Sequence, residues 1–216
     1  MYYPYVQQIP KQDRRVMTVT GIGNQSIAPD TANIQFEVRT ENMVLTQAQQ
    51  ENAYVMNQVI ESLLNLGISA ENIKTVSYTV FPQYDYVEGK QVFRGYEVIN
   101  AISVKVPSIE QVGKVIDVAV QNGANSVSNI QFTVDNEELY YEKALSLALG
   151  NAVSKAQAIA NTMQLQLDPT PTTITEAHRD EPIGPRPFMA KEMAASTPIE
   201  PGQIEITATV KVQFQY

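Results

Sequence analysis

The chain has 216 residues, a formal net charge of −8 and a sequence pI near 4.7. A phosphate backbone would be repelled by this charge, so the composition argues against nucleic acid as a partner. No cysteine is present, which excludes disulfides, thiolate nucleophiles and cysteine metal ligands. No segment reaches the roughly 18 apolar residues that would predict an integral membrane helix.

Residues 1–15 are aromatic, contain proline and lack periodicity, and we interpret them as a flexible N-terminal arm. The arm has no continuous apolar stretch and therefore does not match a signal peptide. Arg14-Arg15 precede a strand pattern, which argues against a twin-arginine signal. We expect a cytoplasmic protein if this N-terminus is native, and a periplasmic or cell-envelope protein if a leader was removed.

A strand is predicted from about residue 16 to 25 and a second, with near-perfect alternation, from about 31 to 42. The first contains Gly21-Ile22-Gly23, which could suggest a phosphate loop. The third glycine of that motif would fall at Ser26, and a strand follows where a helix is needed. We therefore expect a β-bulge or a tight strand end at these glycines.

The next elements are a helix from about 46 to 66, with Gly67 as a left-handed cap, and two strands at about 72–86 and 91–106. Residues 88–90 join these strands as a hairpin. After the hairpin, a capping box predicts the start of a second helix. It is formed by Ser108 and Gln111.

The second helix is expected to end at Asn122-Gly123, and a strand with Ile130, Phe132 and Val134 facing inward follows. The order β-α-β-β-α-β from about 30 to 134 predicts a ferredoxin-like unit, with an antiparallel sheet and both helices on one face.

A third helix is expected from Asp135 to about Met163, with alanine at every fourth position from Ala144 to Ala160. Residues 168–202 hold seven of the twelve prolines and are interpreted as an extended excursion. An unambiguous last strand then runs to the C-terminus. The predicted fold class is α+β: the ferredoxin-like unit plus a second α/β subdomain (16–29 with 135–216) built from the N-terminal strand, the long helix and two C-terminal strands.

Six segments in this order resemble the SIMPL-domain family, from about Val16 to the C-terminus. They are VTGIGNQSIAPDTA, LGISAENIKT, FPQYDY, RGYEVIN, NGANSVSNIQF and TPIEPGQIEITATVKVQF. The resemblance implies a two-part α+β fold and a tendency to act through assembly or binding, and it brings no established catalytic site. The structural signature consists of Gly21, Gly23, Pro29, Asp30, Gly67, Pro82, Tyr84, Gly95, Tyr96, Gly123, Phe132, Pro201 and Gly202.

The side chains that could perform chemistry form no nucleophile–base–orienter set in the sequence. His178, the only histidine, lies in the proline-rich excursion beside Asp180 and Glu181, and we interpret it as a solvated loop residue. Asp30 is expected to bond local backbone amides rather than to act as an acid or base. We therefore predict no catalytic residues, no cofactor and no metal.

Tyrosines on the central hairpin are the most conspicuous candidates for a binding surface. Tyr78, Tyr84 and Tyr86 share one strand face with Val76 and Val80, and Tyr96 lies across the hairpin. Cross-strand packing pairs are one interpretation. An exposed aromatic patch that binds a partner is the other.

The sequence favours a non-enzymatic protein that acts as an oligomeric scaffold or protein-binding module, with itself and possibly another protein as partners. One alternative is a carboxylate- and divalent-metal-dependent hydrolase or small-ligand enzyme, and another is an envelope stress-related protein. A pocket collecting several of Asp30, Glu97, Asp117 and Asp180 would favour the enzyme. The oligomer contact is predicted within residues 175–201, at Ile183, Phe188, Met189 and Met193.

Overall fold

A computed structural model of the protein describes residues 15–177 and 197–216, together with the backbone of 183–186. These residues form an α+β fold with two antiparallel sheets and three α-helices. The strands are β1 (Val16–Ile27), β2 (Thr31–Asn42), β3 (Ile73–Val87), β4 (Lys90–Val106), β5 (Ser126–Thr133), β6 (Thr173–Glu176), β7 (Ile183–Arg186) and β8 (Gln203–Gln215). The helices are α1 (Leu45–Asn65), α2 (Val112–Gln121) and α3 (Glu137–Met163).

The predicted ferredoxin-like unit is confirmed by the second sheet, whose strand order is β3-β4-β2-β5. All three pairings are antiparallel, and the central pair aligns Phe36 with Ile102. Alternate residues of β2 and β4 form one apolar face, and both α1 and α2 pack on it. The fully buried side chains of this core include Ile34, Phe36, Val38, Val59, Leu63, Ile102, Val104, Val106, Val112 and Val115.

Glycine ends α1 and α2 as predicted. Gly67 has φ +101° and Gly123 has φ +112°, and the residue after each donates its N–H to a carbonyl five positions earlier. The capping box at Ser108 is wrong. Ser108 makes no side-chain cap bond, because a 3₁₀ turn at Ile109–Gln111 separates it from the first residue of α2.

The first sheet places β8 between β1 and β6, and β7 also pairs with β8. The alanines of α3 are all buried, as the four-residue spacing predicts. β1 continues through Gly21 and Gly23 to Ile27, so these glycines do not end the strand. A Cβ on Gly21 would lie 2.0 Å from the carbonyl oxygen of Ala148, so glycine is required by the close approach of α3.

Other signature residues occupy structural positions. Pro29 is buried, Phe132 packs against the second-sheet core, and Gly202 has φ +64°. Ile130 was expected to face inward but is exposed, because a register shift in β5 beside Asn129, with φ +50°, interrupts the alternation.

Contacts divide the chain into two compact units. One consists of residues 1–26, 138–183 and 205–216, and the other of 27–137 and 184–204. Within the described residues, the helices are too short or too polar to cross a membrane.

Candidate interaction surface

The hairpin of β3 and β4 extends beyond the sheet that contains it. β2 is 12 residues long and its register with β4 begins at Asn42 opposite Tyr96, whereas β3 and β4 remain paired up to Val87 and Lys90. Residues 83–95 therefore form a two-stranded segment, which we call the aromatic ribbon. A two-residue turn at Glu88-Gly89, both with positive φ, closes it.

A β-bulge decides which side chains share the ribbon's face. Gln83 pairs with Gly95 and Tyr84 with Phe93, which leaves Arg94 as the extra residue of β4. Phe93 and Tyr96 consequently point to the same side although they are three residues apart. This is the side of the sheet on which the helices pack.

The aromatic side chains on this face contact one another edge to face. The ring centroids of Tyr84 and Phe93 are 5.6 Å apart, and those of Phe93 and Tyr96 are 5.1 Å apart. The Tyr84–Phe93 pair joins the two strands, whereas Phe93 and Tyr96 both belong to β4, so Tyr96 contacts Phe93 rather than one of the tyrosines of β3. Each such pair contributes about 0.5–1.5 kcal/mol beyond its buried area.

The same face is also open to solvent towards the turn. Tyr84 is 44% exposed and Tyr86 is 76% exposed. Packing pairs and an exposed patch were alternatives in the sequence, and the structure contains both features on one face.

Arg94 connects the ribbon to the end of β2. Its Nε and Nη2 donate to the two carboxylate oxygens of Glu41 at 2.6 and 2.8 Å, and its Nη1 lies 3.5 Å from Asp85 Oδ1. The hydrogen bond to Glu41 raises the pKa of Arg94, with a further contribution from its charge. A bidentate pair of this kind fixes orientation as well as distance, so it holds the ribbon in line with the sheet.

The opposite face of the sheet carries charged and amide side chains. Arg39 Nη2 donates to Glu37 Oε2 at 2.8 Å, and this hydrogen bond lowers the pKa of Glu37. Gln83 Nε2 donates to Glu97 Oε2 at 2.7 Å. We call this face of the sheet the charged side, and at the ribbon it also carries the exposed side chains of Val87 and Val92.

Three of the acids considered for metal chemistry have structural partners, and one of them is Glu97, which accepts from Gln83. Asp30 Oδ1 accepts the Asp135 N–H at 2.8 Å, and Asp117 Oδ1 accepts the Thr197 hydroxyl at 2.6 Å. Asp30 thus bonds a backbone amide, but the prediction of a local amide is wrong, because the donor lies 105 residues away. Within the part of the chain that the structure describes, no three His, Asp or Glu side chains are grouped to hold a metal.

Several predicted residues cannot be placed. His178, Asp180, Glu181, Phe188, Met189 and Met193 lie outside the described residues, and Ile183 is described only by its backbone in β7. The predicted oligomer contact in the excursion therefore stays a prediction.

Two features of the ribbon were missed by sequence reasoning: Phe93 on the aromatic face, and the Arg94–Glu41 pair at its base. Strict alternation would place Phe93 on the charged side, and the only local signal of a bulge is Gly95 after Arg94. Register shifts of one residue are not visible in a single sequence.

The model of the SIMPL family, described as protein of unknown function (DUF541), matches residues 17–214. The 26 kDa periplasmic immunogenic protein of Brucella melitensis biotype 1 is 27% identical over 219 residues, covering 96% of this chain and 87% of that protein. The uncharacterized protein YggE of Escherichia coli K12 is 24% identical over 205 residues, covering 92% and 82%. YggE of Edwardsiella ictaluri is 23% identical over 154 residues, covering 71% and 64%.

Proposed function

We propose that this chain, which belongs to the SIMPL family, is a non-enzymatic oligomeric scaffold or protein-binding module that uses its aromatic ribbon as the contact surface. The observation that carries the proposal is the exposed end of the aromatic row, where Tyr84 and Tyr86 lie beyond β2. Exposed aromatic side chains on a rigid support are typical anchors of protein interfaces. The Arg94–Glu41 pair supplies the rigidity.

The test is the double variant Tyr84→Ser/Tyr86→Ser in the full chain. We expect assembly, measured by sedimentation velocity, to weaken at least tenfold while the circular dichroism spectrum stays the same. Tyr54→Ser is the matched control, because Tyr54 is 65% exposed and belongs to α1 rather than to the ribbon. An unchanged oligomer in the double variant, or a monomeric wild-type protein without any partner, would contradict the proposal.

The non-enzymatic part of the proposal is supported by the use of Asp30 and Asp117 in backbone and hydroxyl hydrogen bonds. Glu97 likewise accepts from Gln83. The rival function, a carboxylate- and metal-dependent hydrolase, predicts a tightly bound divalent ion. Elemental analysis of protein purified without chelator should find no stoichiometric transition metal, and a stoichiometric one would favour the hydrolase.

The name of the Brucella melitensis relative places that protein in the periplasm. We propose the same cell-envelope location for this chain, which would suit an assembly with a structural or stress-related role. Fractionation of cells that express the native gene should recover the protein outside the cytoplasm. Recovery with cytoplasmic markers would contradict this location and leave the scaffold proposal standing.

A further inference from the structure

We propose that the aromatic ribbon of one protomer binds the N-terminal arm, residues 1–14, of a second copy of this chain. This inference rests on the proposed function, since it names the segment that occupies the contact surface. The arm lies outside the described residues, and the argument uses only its sequence and its point of attachment.

The ribbon offers two kinds of contact. Its aromatic face ends in the exposed rings of Tyr84 and Tyr86. The segment of β4 between Lys90 and Phe93 is paired with β3 on one side, while its register with β2 begins only at Tyr96. Its other edge can accept an extended peptide by backbone hydrogen bonding.

The arm has matching chemistry in its sequence, MYYPYVQQIPKQDR. Tyr2, Tyr3 and Tyr5 surround Pro4, and these rings can pack on the tyrosines of the ribbon. Proline fixes φ and so reduces the conformational entropy that an extended segment loses on binding. Residues 5–9 contain no proline, which leaves their N–H groups available to an open strand edge.

Charge favours the same pairing. The arm and the residue after it carry Lys11, Arg14 and Arg15 against one acid, Asp13, whereas the whole chain has 15 basic and 23 acidic residues. The ribbon and its base carry Glu41, Asp85, Glu88 and Glu97 against Lys90 and Arg94, and of these acids Glu41, Asp85 and Glu97 lie on the charged side of the sheet. Charge therefore attracts the basic arm to the partner molecule as a whole, and the contacts between rings select the aromatic face.

The attachment point allows the arm to reach a neighbouring molecule. Arg15 is held at the start of β1, where its carbonyl accepts the N–H of Tyr216 at 3.1 Å. Fourteen extended residues span up to about 50 Å, which exceeds the diameter of a small domain.

Two other occupants fit less well. Direct pairing of β3 with β3 of another copy is hindered by Pro82 and by the extra residue Val76, both of which disrupt an edge ladder. The excursion contains β7, which already pairs with β8. Residues 178–196 of the excursion contain equal numbers of basic and acidic side chains and one histidine.

The experiment places the photo-crosslinker p-benzoylphenylalanine at Tyr86 of the unlabelled full chain and mixes it with ¹⁵N-labelled wild-type chain. After irradiation and trypsin digestion, we expect a crosslink between Tyr86 and the ¹⁵N-labelled peptide 1–11. The same probe at Tyr54 serves as the control and should not capture this peptide. Tyr2→Ser/Tyr3→Ser/Tyr5→Ser should weaken assembly at least tenfold, and raising NaCl from low to high concentration should weaken the wild-type assembly.

Three results would overturn the arm of a second copy as the occupant. They are crosslinks from Tyr86 only to peptide 1–11 of the same chain, crosslinks to the excursion, and crosslinks to another ribbon. An oligomer that gives no crosslink to peptide 1–11 would do the same. In these cases the proposed scaffold function survives. A monomer without intermolecular crosslinks would overturn both.

Discussion

The outer edge of β1 and the open edge of the aromatic ribbon differ in what lies against them. On β1, the Ile22 N–H donates to Asn151 Oδ1 at 3.2 Å, and Lys155 Nζ donates to the Thr20 carbonyl at 2.8 Å. Both partners are side chains of α3, so the helix satisfies backbone groups that another strand would otherwise bind. The ribbon edge of β4 has no such cover from β2 before Tyr96.

The two edges differ in whether they can pair with a strand of another chain. An exposed strand edge is a pairing site, and native proteins cover the edges that must stay unpaired. Here the edge of β1 is covered by α3 and the edge of β3 is interrupted by Pro82, while among the residues that the structure describes no strand pairs with the outer edge of β4 between Lys90 and Phe93.

The largest expected effect on stability comes from a substitution that separates α3 from the edge of β1. Gly21→Ala would place its methyl group 2.0 Å from the Ala148 carbonyl oxygen, which forces α3 away from β1. We expect the free energy of unfolding, measured by urea denaturation, to fall by about 3 kcal/mol or more. Gly150→Ala is the matched control: a Cβ there meets nothing within 4 Å, and stability should rise by about 0.5–1 kcal/mol. Equal effects of the two variants would contradict the close-packing argument.

The second-largest effect on stability is expected at Asn52, which joins α1 to the neighbouring strands β2 and β4. Asn52 is fully buried on α1, and its Nδ2 donates to the carbonyls of Val38 at 2.8 Å and Val98 at 3.1 Å. Asn52→Ala leaves these carbonyls without that donor, so denaturation should show a loss of about 2 kcal/mol. The exposed Gln50→Ala serves as the control and should change stability by less than about 0.5 kcal/mol. A loss no larger than that of the control would show that the amide is dispensable.

A smaller, local effect is expected at the base of the ribbon. Arg94→Ala removes the bidentate bond to Glu41, so the amides of residues 84–93 should exchange hydrogen faster while the midpoint of thermal unfolding changes little. Arg94→Lys keeps the charge without the two-point geometry and should be intermediate. Unchanged exchange in Arg94→Ala would mean that the strand pairing alone orients the ribbon.

The smallest effect is a pH dependence on the charged side of the sheet. The pKa of Glu37 is lowered by Arg39, so its contribution to stability is present above the usual carboxyl pKa and is lost as the pH falls through the lowered value. Glu37→Gln should therefore be less stable than wild type at pH 7, by less than about 1 kcal/mol, and the gap should close in acid. A gap that persists at pH 2 would point to packing rather than charge.

Much of the architecture was predictable because periodicity and glycine chemistry act locally. Alternation in β2, the cap at Gly67 and the alanine spacing of α3 each depend on neighbours within a few residues. The predicted cap at Ser108 was wrong because it depended on where an α-helix begins after a 3₁₀ turn. The requirement for glycine at position 21 was also missed, because the group that it contacts, the Ala148 carbonyl of α3, lies more than a hundred residues away.

Only part of the candidate surface could be predicted from the sequence. The tyrosines and their shared face followed from alternation, and the register confirms Tyr84 and Tyr86 on one side with Tyr96 across the hairpin. Phe93 and the ion pair of Arg94 did not follow, because a bulge changes the side of the strand without changing any residue type.

Arg94 has a further consequence for how this hairpin tolerates changes in length. As the extra residue of a bulge, it is not counted in the alternation of β4, so Phe93 and Tyr96 keep the same side with or without it. A descendant chain that lost this single codon would retain its aromatic side and lose the links to Glu41 and Asp85. This stretch of β4 therefore preserves the direction of its rings against a deletion that would invert an ordinary strand.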